Sequence, residues 1–359
     1  MDRRKFIKTA GASSLIAGGA LVSAPAVHAA KKIKWKMVTA WPKNFPGLGS
    51  GANQLAKLIN DMSSGRIKVK VYGAGEMVPP FEVFDAVSKG TAQMGHASAM
   101  YWKGKSEAAQ FFSAIPFGFT GQEMDAWLYH GGGMKLWQEL YANFNLVPAA
   151  AGNSGVQMAG WFNREIVSLQ DIKGLKMRIP GMGGEVIRRA GGTPVNIPGG
   201  EIFSSLKSGT IDATEWIGPY NDLAFGFHKA AKYYYYPGWH EPGTTLECMI
   251  NKKALESLPK DLQTIVLHAC RVANEDLFAE FTAKNAFALQ EIKGKDQVQI
   301  KKLPDDVLKK LRDLSQEVVM DVAEKDKTVK KVYESFEKFL KQTMAWHDVS
   351  ERAYLNARS

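Results

Sequence analysis

One stretch of this chain occurs twice without a gap. Val78-Pro-Pro-Phe-Glu-Val-Phe-Asp-Ala-Val-Ser-Lys-Gly-Thr-Ala-Gln-Met94 aligns with Ile197-Pro-Gly-Gly-Glu-Ile-Phe-Ser-Ser-Leu-Lys-Ser-Gly-Thr-Ile-Asp-Ala213. Pro79 falls on Pro198, Glu82 on Glu201, Phe84 on Phe203, and Gly90-Thr91 on Gly209-Thr210. Each copy reads as a Pro-opened helix, a glycine stop and a buried strand, because proline suits a first helical turn and glycine the left-handed residue that ends one. Holding the same offset sets Tyr101 on Tyr220 and His96 on Glu215. Ordinary α/β punctuation can converge on such a pattern. If it is a true duplication, the chain holds two similar lobes, and a cleft between lobes is a usual seat for a small ligand.

The surrounding pattern fits that reading. Lys34–Ala40 and Ile67–Tyr72 alternate like strands, with helical spacing from 47 to 64 between them and a glycine stop at Gly65. Ala92–Ala97 is a third strand. Strand–helix–strand–helix–strand is an α/β unit with a mainly parallel sheet. Short helices are expected over Gln122–His130 and Met134–Tyr141, and strands over Leu146–Ala151 and Val156–Phe162, the latter pair able to cross between lobes. Leu175–Ile179 is a strand stopped by Pro180-Gly181, followed by a helix over Gly183–Ala190 and a strand over Thr193–Ile197. The run Tyr233–Glu241 suggests a strand buried on both faces or a lobe interface. The last hundred residues are helical: Pro259–Leu289, Asp305–Ala323, and a long apolar stripe from Thr328 to about Tyr354. The fold class is therefore α/β with a long C-terminal helix; two lobes, with strands able to cross between them, follow if the repeat is a true duplication. The expected boundaries are 31–152 for the first lobe (later segments returning to it), 153–250 for the second, and 251–359 for a helical segment packing across both. A tail of that length can pack on its own domains or embrace a second copy.

Residues 1–29 are set apart from the fold. Arg3, Arg4, Lys5 and Lys8 precede a mildly apolar, Gly- and Ala-rich stretch, and Val27-His28-Ala29 offers the small residues that signal peptidase accepts. Arg-Arg-Lys-Phe-Ile-Lys resembles a twin-arginine signal, which exports folded proteins; an ordinary signal for unfolded export is the alternative. Either route places the mature protein outside the cytoplasm, in a periplasm. Cleavage lowers the formal charge from +10 to +7, and the remainder is spread along the chain, which argues against a nucleic-acid stripe. Two cysteines, Cys248 and Cys270, could bridge after export or stay as separate buried thiols, and cannot build an iron–sulfur or four-thiolate zinc site.

Motifs for catalysis are missing: there is no Gly-x-Ser-x-Gly elbow, His-Glu-x-x-His or Walker loop. His240-Glu241 would point to opposite faces of an extended strand, which disfavours an acid–base pair. Four segments carry binding chemistry instead. Arg178 ends the strand in Leu-Lys-Met-Arg-Ile-Pro-Gly, where its planar fork can grip a carboxylate; Lys176 shares its face, and a plain surface arginine fits the spacing too. Glu215-Trp216 lies in an apolar segment, where an unpaired carboxylate needs a cation or an arginine. Asn153 and Gln157 interrupt two apolar strands, as ligand or cation donors or as a simple turn. The tyrosine run before Trp239-His240-Glu241 is the fourth.

At these residues the chain resembles the solute-binding proteins of tripartite ATP-independent periplasmic (TRAP) transporters. Met37-Val-Thr-Ala-Trp41, both Gly-Thr motifs, Lys176-Met-Arg-Ile-Pro180, Glu215-Trp216 and the helical tail carry the likeness over about residues 31–355. Trp41-Pro-Lys-Asn-Phe-Pro-Gly47 and the tyrosine run are similar to the members that bind 2-oxo acids such as pyruvate, or lactate, together with a metal ion. The resemblance implies that same two-lobe arrangement with crossing strands, a periplasmic binder rather than an enzyme, hinge closure, and delivery of a small monocarboxylate to TRAP membrane subunits. It implies substrate contacts from Arg178, Asn153, Gln157, Tyr101 and Glu215. It further implies a Na⁺ or Ca²⁺ ion held by Gln157, Glu215, the Trp216 carbonyl and Glu241, and a homodimer through the C-terminal helix.

Overall fold

The computed structural model describes residues 32–358, so the export-signal reading of residues 1–29 lies outside the described residues. No helix among them is long and apolar enough to cross a membrane. Their strands are β1 (Ile33–Thr39), β2 (Ile67–Tyr72), β3 (Met94–Ala97), β4 (Leu146–Asn153), β5 (Gly160–Phe162), β6 (Lys176–Arg178), β7 (Thr193–Val195), β8 (Ala213–Thr214), β9 (Tyr233–Tyr236), β10 (Thr245–Asn251) and β11 (Gln299–Lys302).

Two sheets result, ordered β2-β1-β3-β10-β4 and β7-β6-β8-β5-β9-β11. Strand for strand, the first five positions match. In one sheet β1 pairs in parallel with β2 and β3, then β10 runs antiparallel to β3 and β4. In the other β6 pairs in parallel with β7 and β8, then β5 runs antiparallel to β8 and β9. A helix joins β1 to β2 (Leu48–Met62), and another joins β6 to β7 (Gly181–Arg189).

The sequence repeat lies at the same place in both sheets, and its backbone repeats closely. Pro79 has φ −55°, ψ 150° and Pro198 φ −60°, ψ 150°. Lys89 and Ser208, which end the two helices, share φ −79°, ψ −10°. Gly90 and Gly209 follow at φ 82° and 76°, in the left-handed region that favours glycine. The copies differ at their start. The first opens with a 3₁₀ turn, Pro80–Glu82, whereas the second is helical from Gly199 to Lys207.

The chain passes between the sheets three times, after β4, before β10 and again between β10 and β11 by way of the helix Lys260–Lys293, and the first two crossing segments bond to each other. Ser154 N–H donates to Thr244 O (3.0 Å), Gln157 N–H to Glu241 O (3.3 Å) and Gly238 N–H to Gln157 O (2.9 Å). Gly238 is needed here, because a Cβ on it would meet Gln157 O at 2.2 Å. This crossing shortens the expected strand 156–162 to Gly160–Phe162 and ends the tyrosine strand at Tyr236, so Trp239, His240 and Glu241 lie in a loop. The helix Lys260–Lys293 braces both halves, packing on β4 and Leu48–Met62 and on the helix Pro219–Phe225. Asn274 Oδ1 accepts the Gly152 N–H (3.1 Å), while Tyr220 OH donates to Glu280 (2.9 Å).

The apolar stripe of the tail splits. Lys327–Val349 is one helix, with Val329, Val332 and Phe336 buried; Ser350 (φ −119°, ψ −102°) ends it, and Glu351–Arg358 follows. Trp346, Val349 and Tyr354, where the expected second copy would sit, are exposed. Cys248 and Cys270 are buried free thiols. Strands β10 and β11 escape the sequence pattern. Thr-Leu-Glu-Cys-Met-Ile-Asn is buried at every residue, so it shows no alternation, and Glu247 interrupts its apolar run.

Candidate functional site

A cavity opens where the crossing segments meet the ends of the parallel strands. Its walls are Trp41, Leu48, Ser98, Met100 and Tyr101 from the first half, Arg178, Pro180, Glu215, Trp216 and Ile217 from the second, and Ser154, Gln157, Glu241, Thr244 and Leu246 from the crossings and β10. It spans about 330 Å³ of atom-free space, part of it open to solvent, against 590–730 Å³ for four other hollows. It is small, and charges line it.

Arg178 ends β6 and is 1% exposed, whereas Lys176, two residues earlier on the same face, is exposed. Its guanidinium is held on three sides. Nη1 donates to the Glu215 carboxylate and, at 3.4 Å, to the Glu215 carbonyl; Nε donates to Ile197 O at 3.3 Å. The plane lies 5.0 Å from the Trp216 ring. Gly199 makes room for that ring: a Cβ there would meet it at 2.4 Å. Arg178 Nη2, however, has no partner. Burial acts to lower the pKa of Arg178, but Glu215, Tyr101 and Glu241 outweigh it and leave the group raised. Tyr101 is half-buried, and its hydroxyl is pushed up to about 12, chiefly by burial, with Arg178 opposing. It is a neutral donor.

Glu215 follows β8 and is fully buried. One oxygen meets Arg178. The other, Oε2, has His240 Nε2 at 3.4 Å but no aligned hydrogen bond. Gln157 donates its amide hydrogens to Glu241 Oε2 (2.9 Å), Thr244 Oγ1 (3.1 Å) and Ser154 Oγ (3.2 Å), which leaves its Oε1 buried and unpartnered. Glu241 also accepts from Thr244 (2.6 Å). Burial, then the nearby Glu215, push Glu241 up to about 7. Ligand atoms of Glu215, His240 and Glu241 all lie within 4.8 Å of one another.

The structure thus brings Arg178, Tyr101, Gln157, Glu215, Trp216 and Glu241 around one cavity. It keeps Asn153 off the wall. That side chain is buried, accepts from Gly155 N–H (2.9 Å) and donates to Gly243 O (3.4 Å), closing the turn that delivers Ser154 and Gln157. His240, set aside in the sequence as strand-bound, reaches Glu215 because its segment is a loop. Ser154 lay inside the Asn153–Gln157 motif; Thr244 and Leu246 carry no signal beyond their place next to Glu241 and on β10.

Unpartnered buried groups are costly, so their clustering describes what would complete the site. Gln157 Oε1 and Glu215 Oε2 are acceptors seeking a cation or donor, and Arg178 Nη2 is a donor seeking an anion. Oxygens from an amide and two carboxylates suit a hard cation such as Na⁺ or Ca²⁺. The residues present fit such an ion.

The profile of the bacterial extracellular solute-binding proteins, family 7 (DctP), matches residues 37–326. The chain belongs to this family. A monocarboxylate 2-oxoacid-binding periplasmic protein of Nostoc sp. is 41% identical to this DctP protein over 365 aligned positions, covering 100% of this chain and 99% of the relative. Two solved TRAP periplasmic solute-binding proteins share its fold at TM-score 0.88. The one from Pseudoalteromonas atlantica, with bound sodium and pyruvate, is 42% identical and covers 91% of this chain and 99% of its own. The one from Colwellia psychrerythraea, with bound calcium and pyruvate, is 41% identical and covers 91% and 100%. A third, from Bordetella bronchiseptica, is a mixed-occupancy dimer with copurified calcium and picolinate (TM-score 0.89, 36% identical, 91% and 97% covered).

Proposed function

We propose that this DctP protein captures a small monocarboxylate, a 2-oxo acid such as pyruvate or a 2-hydroxy acid such as lactate, with a bound Na⁺ or Ca²⁺ ion. It works in the periplasm and hands its cargo to TRAP membrane subunits. The observation that supports this most is a cluster of unpartnered buried atoms around one small cavity, Arg178 Nη2, Gln157 Oε1 and Glu215 Oε2 among them.

In this reading Arg178 Nη2 holds one edge of the ligand carboxylate and the Tyr101 hydroxyl donates beside it. Gln157 Oε1, Glu215, Glu241 and the Trp216 carbonyl hold the ion. When bound, the ion supplies the positive charge that offsets two buried carboxylates and attracts the oxygens of the acid. Trp41, Leu48, Met100 and Leu246 bound the remaining space and limit the size of the substituent. In this reading the chain holds the acid without converting it: the wall hydroxyls of Ser98 and Ser154 bond to the Ser113 hydroxyl (2.7 Å) and the Gly155 carbonyl (3.0 Å) instead of to a histidine.

Thermal unfolding and calorimetric titration with a panel of small carboxylates, each with and without Na⁺ and Ca²⁺, test this. Pyruvate or lactate should raise the midpoint, the stabilisation reaching about 2.7 kcal/mol at a hundredfold excess over Kd, and should be recovered unaltered by NMR. Removing Na⁺ and chelating Ca²⁺ should weaken binding at least tenfold. Undiminished affinity in metal-free buffer would remove the ion from the reading. Failure of every small monocarboxylate to bind would overturn it.

A further inference from the structure

Asp222 stands behind the Glu215–Ile217 segment and is not part of the cavity wall. It lies on the helix Pro219–Phe225 and is 1% exposed. Its Oδ2 accepts from Trp161 Nε1 (3.0 Å) and Tyr234 OH (2.8 Å). Those two rings are cross-strand neighbours on β5 and β9, stacked 4.1 Å apart. Its Oδ1 accepts the Ile217 N–H at 3.4 Å, and the Ile217 carbonyl accepts the Met158 N–H at 3.0 Å. The Trp216–Ile217 peptide is trans, because Tyr236–Pro237 is the cis bond found among the described residues. In a trans peptide the N–H and the preceding C=O point in opposite directions from one rigid plane. Fixing the Ile217 N–H on Asp222 therefore turns the Trp216 oxygen away from Asp222, while Glu215, Trp216 and Ile217 themselves line the cavity.

We propose that Asp222 is a positioning residue for the cation site: by gripping the Ile217 N–H from behind, it aims the Trp216 carbonyl oxygen at the ion. This rests on the cation reading given above. The chemistry of the clamp requires a carboxylate. Trp161 Nε1 and the Ile217 N–H are both obligate donors, and they approach different oxygens of Asp222. An amide offers one acceptor oxygen, so Asp222→Asn must turn an NH₂ toward one of the two donors. The longer Ile217 bond is the one to give way, freeing the peptide plane to rotate. A built-in control exists in the first half. Glu247 on β10 is also fully buried and also accepts from one tryptophan and one tyrosine, Trp102 Nε1 and Tyr141 OH (2.7 Å). It holds no N–H of the Glu215–Ile217 segment, and a tyrosine hydroxyl can accept from an amide, so Glu247→Gln keeps its partners.

The test is titration of Ca²⁺ by calorimetry into the metal-free full chain, in a fixed excess of pyruvate, with circular dichroism confirming the fold. Asp222→Asn should lower Ca²⁺ affinity at least tenfold, and Glu247→Gln should stay within twofold of the parent. Parent-like affinity in Asp222→Asn would overturn the positioning role, as would an equal loss in both variants, which marks a general loosening. If Asp222→Asn does not fold, Tyr234→Phe replaces it. Losing the hydroxyl that steadies Oδ2 should cost severalfold in Ca²⁺ affinity, and no loss overturns the proposal. A parent chain that binds no Ca²⁺ or Na⁺ would instead overturn the cation reading on which the proposal stands.

Discussion

His96 and Glu215 occupy equivalent places in the two halves, yet their surroundings are opposite in kind. His96 on β3 is fully satisfied: Trp41 Nε1 donates to its Nδ1 at 2.8 Å, and its Nε2 lies 3.3 Å from the Ala151 carbonyl. Accepting at Nδ1 and donating at Nε2 defines one neutral tautomer, and burial lowers the group to about 4, against the opposing Ala151 bond. Glu215, just past β8, pairs one oxygen with Arg178 and leaves the other open. The duplicated scaffold thus delivers a closed neutral network on one side and an open charged one on the other. The first half shapes the cavity with rings. The second half supplies the charges that grip a ligand.

The largest effect should come from breaking the charged half. Arg178→Ala removes the unpartnered donor and strands Glu215 in the interior. Affinity for pyruvate or lactate should fall by a thousandfold or more, about 4 kcal/mol. Stability should drop by about 3–5 kcal/mol, as when one member of a buried ion pair is deleted. Calorimetry and urea unfolding read the two losses separately. A folded Arg178→Ala protein that binds pyruvate as tightly as the parent would place the carboxylate grip elsewhere and end the asymmetry between the halves.

A second likeness tests the halves as scaffolds. Asp222 and Glu247 each sit between a tryptophan and a tyrosine, and burial pushes each up to about 7, with those partners opposing. For Glu247 the folded value lies above its ordinary 4.5, so between these pH values the native state holds a proton that the unfolded chain has released. Stability therefore falls as pH rises through that window, by roughly 3 kcal/mol over its full width at about 1.4 kcal/mol per pH unit. Urea unfolding of the metal-free protein from pH 5 to 8 should show the decline, and Glu247→Gln should flatten part of it. A slope unchanged in Glu247→Gln would mean that the buried acid stays ionised throughout.

The comparison also separates what the residues disclose from what only folding does. The repeat was legible because Pro79/Pro198 and Gly90/Gly209 impose the same backbone wherever they occur. Arg178 stood out at a strand end before Pro-Gly, where its fork can grip a carboxylate although a surface arginine fits the spacing too, and Glu215 because a carboxylate in an apolar segment needs a partner. The pairing of the crossing segments was not legible. It depends on hydrogen bonds between residues some eighty positions apart, such as Gln157 with Glu241, and no local period encodes them. For that reason the sequence extended β5 too far, treated His240 as strand-bound, and could not tell that the Asn153 amide closes a turn instead of facing the cavity. Asp222 was invisible for the same reason, since its three donors come from three different segments.

The smallest expected effect lies in the neutral half. Trp41→Phe keeps a ring on the cavity wall, near Tyr101 and Trp216 (centroids 6.1 and 6.4 Å away), but removes the donor to His96 Nδ1. A buried acceptor left alone costs about 1–3 kcal/mol, so the unfolding midpoint should drop. The ligand contacts assigned to Arg178, Tyr101 and the cation are untouched, and pyruvate affinity should stay within about fivefold of the parent, where 1.4 kcal/mol would be tenfold. A hundredfold loss would show that the first half reads the ligand through Trp41 and His96 as directly as the second does through Arg178. The duplication would then be functional on both sides, and the contrast between His96 and Glu215 would be one of chemistry alone.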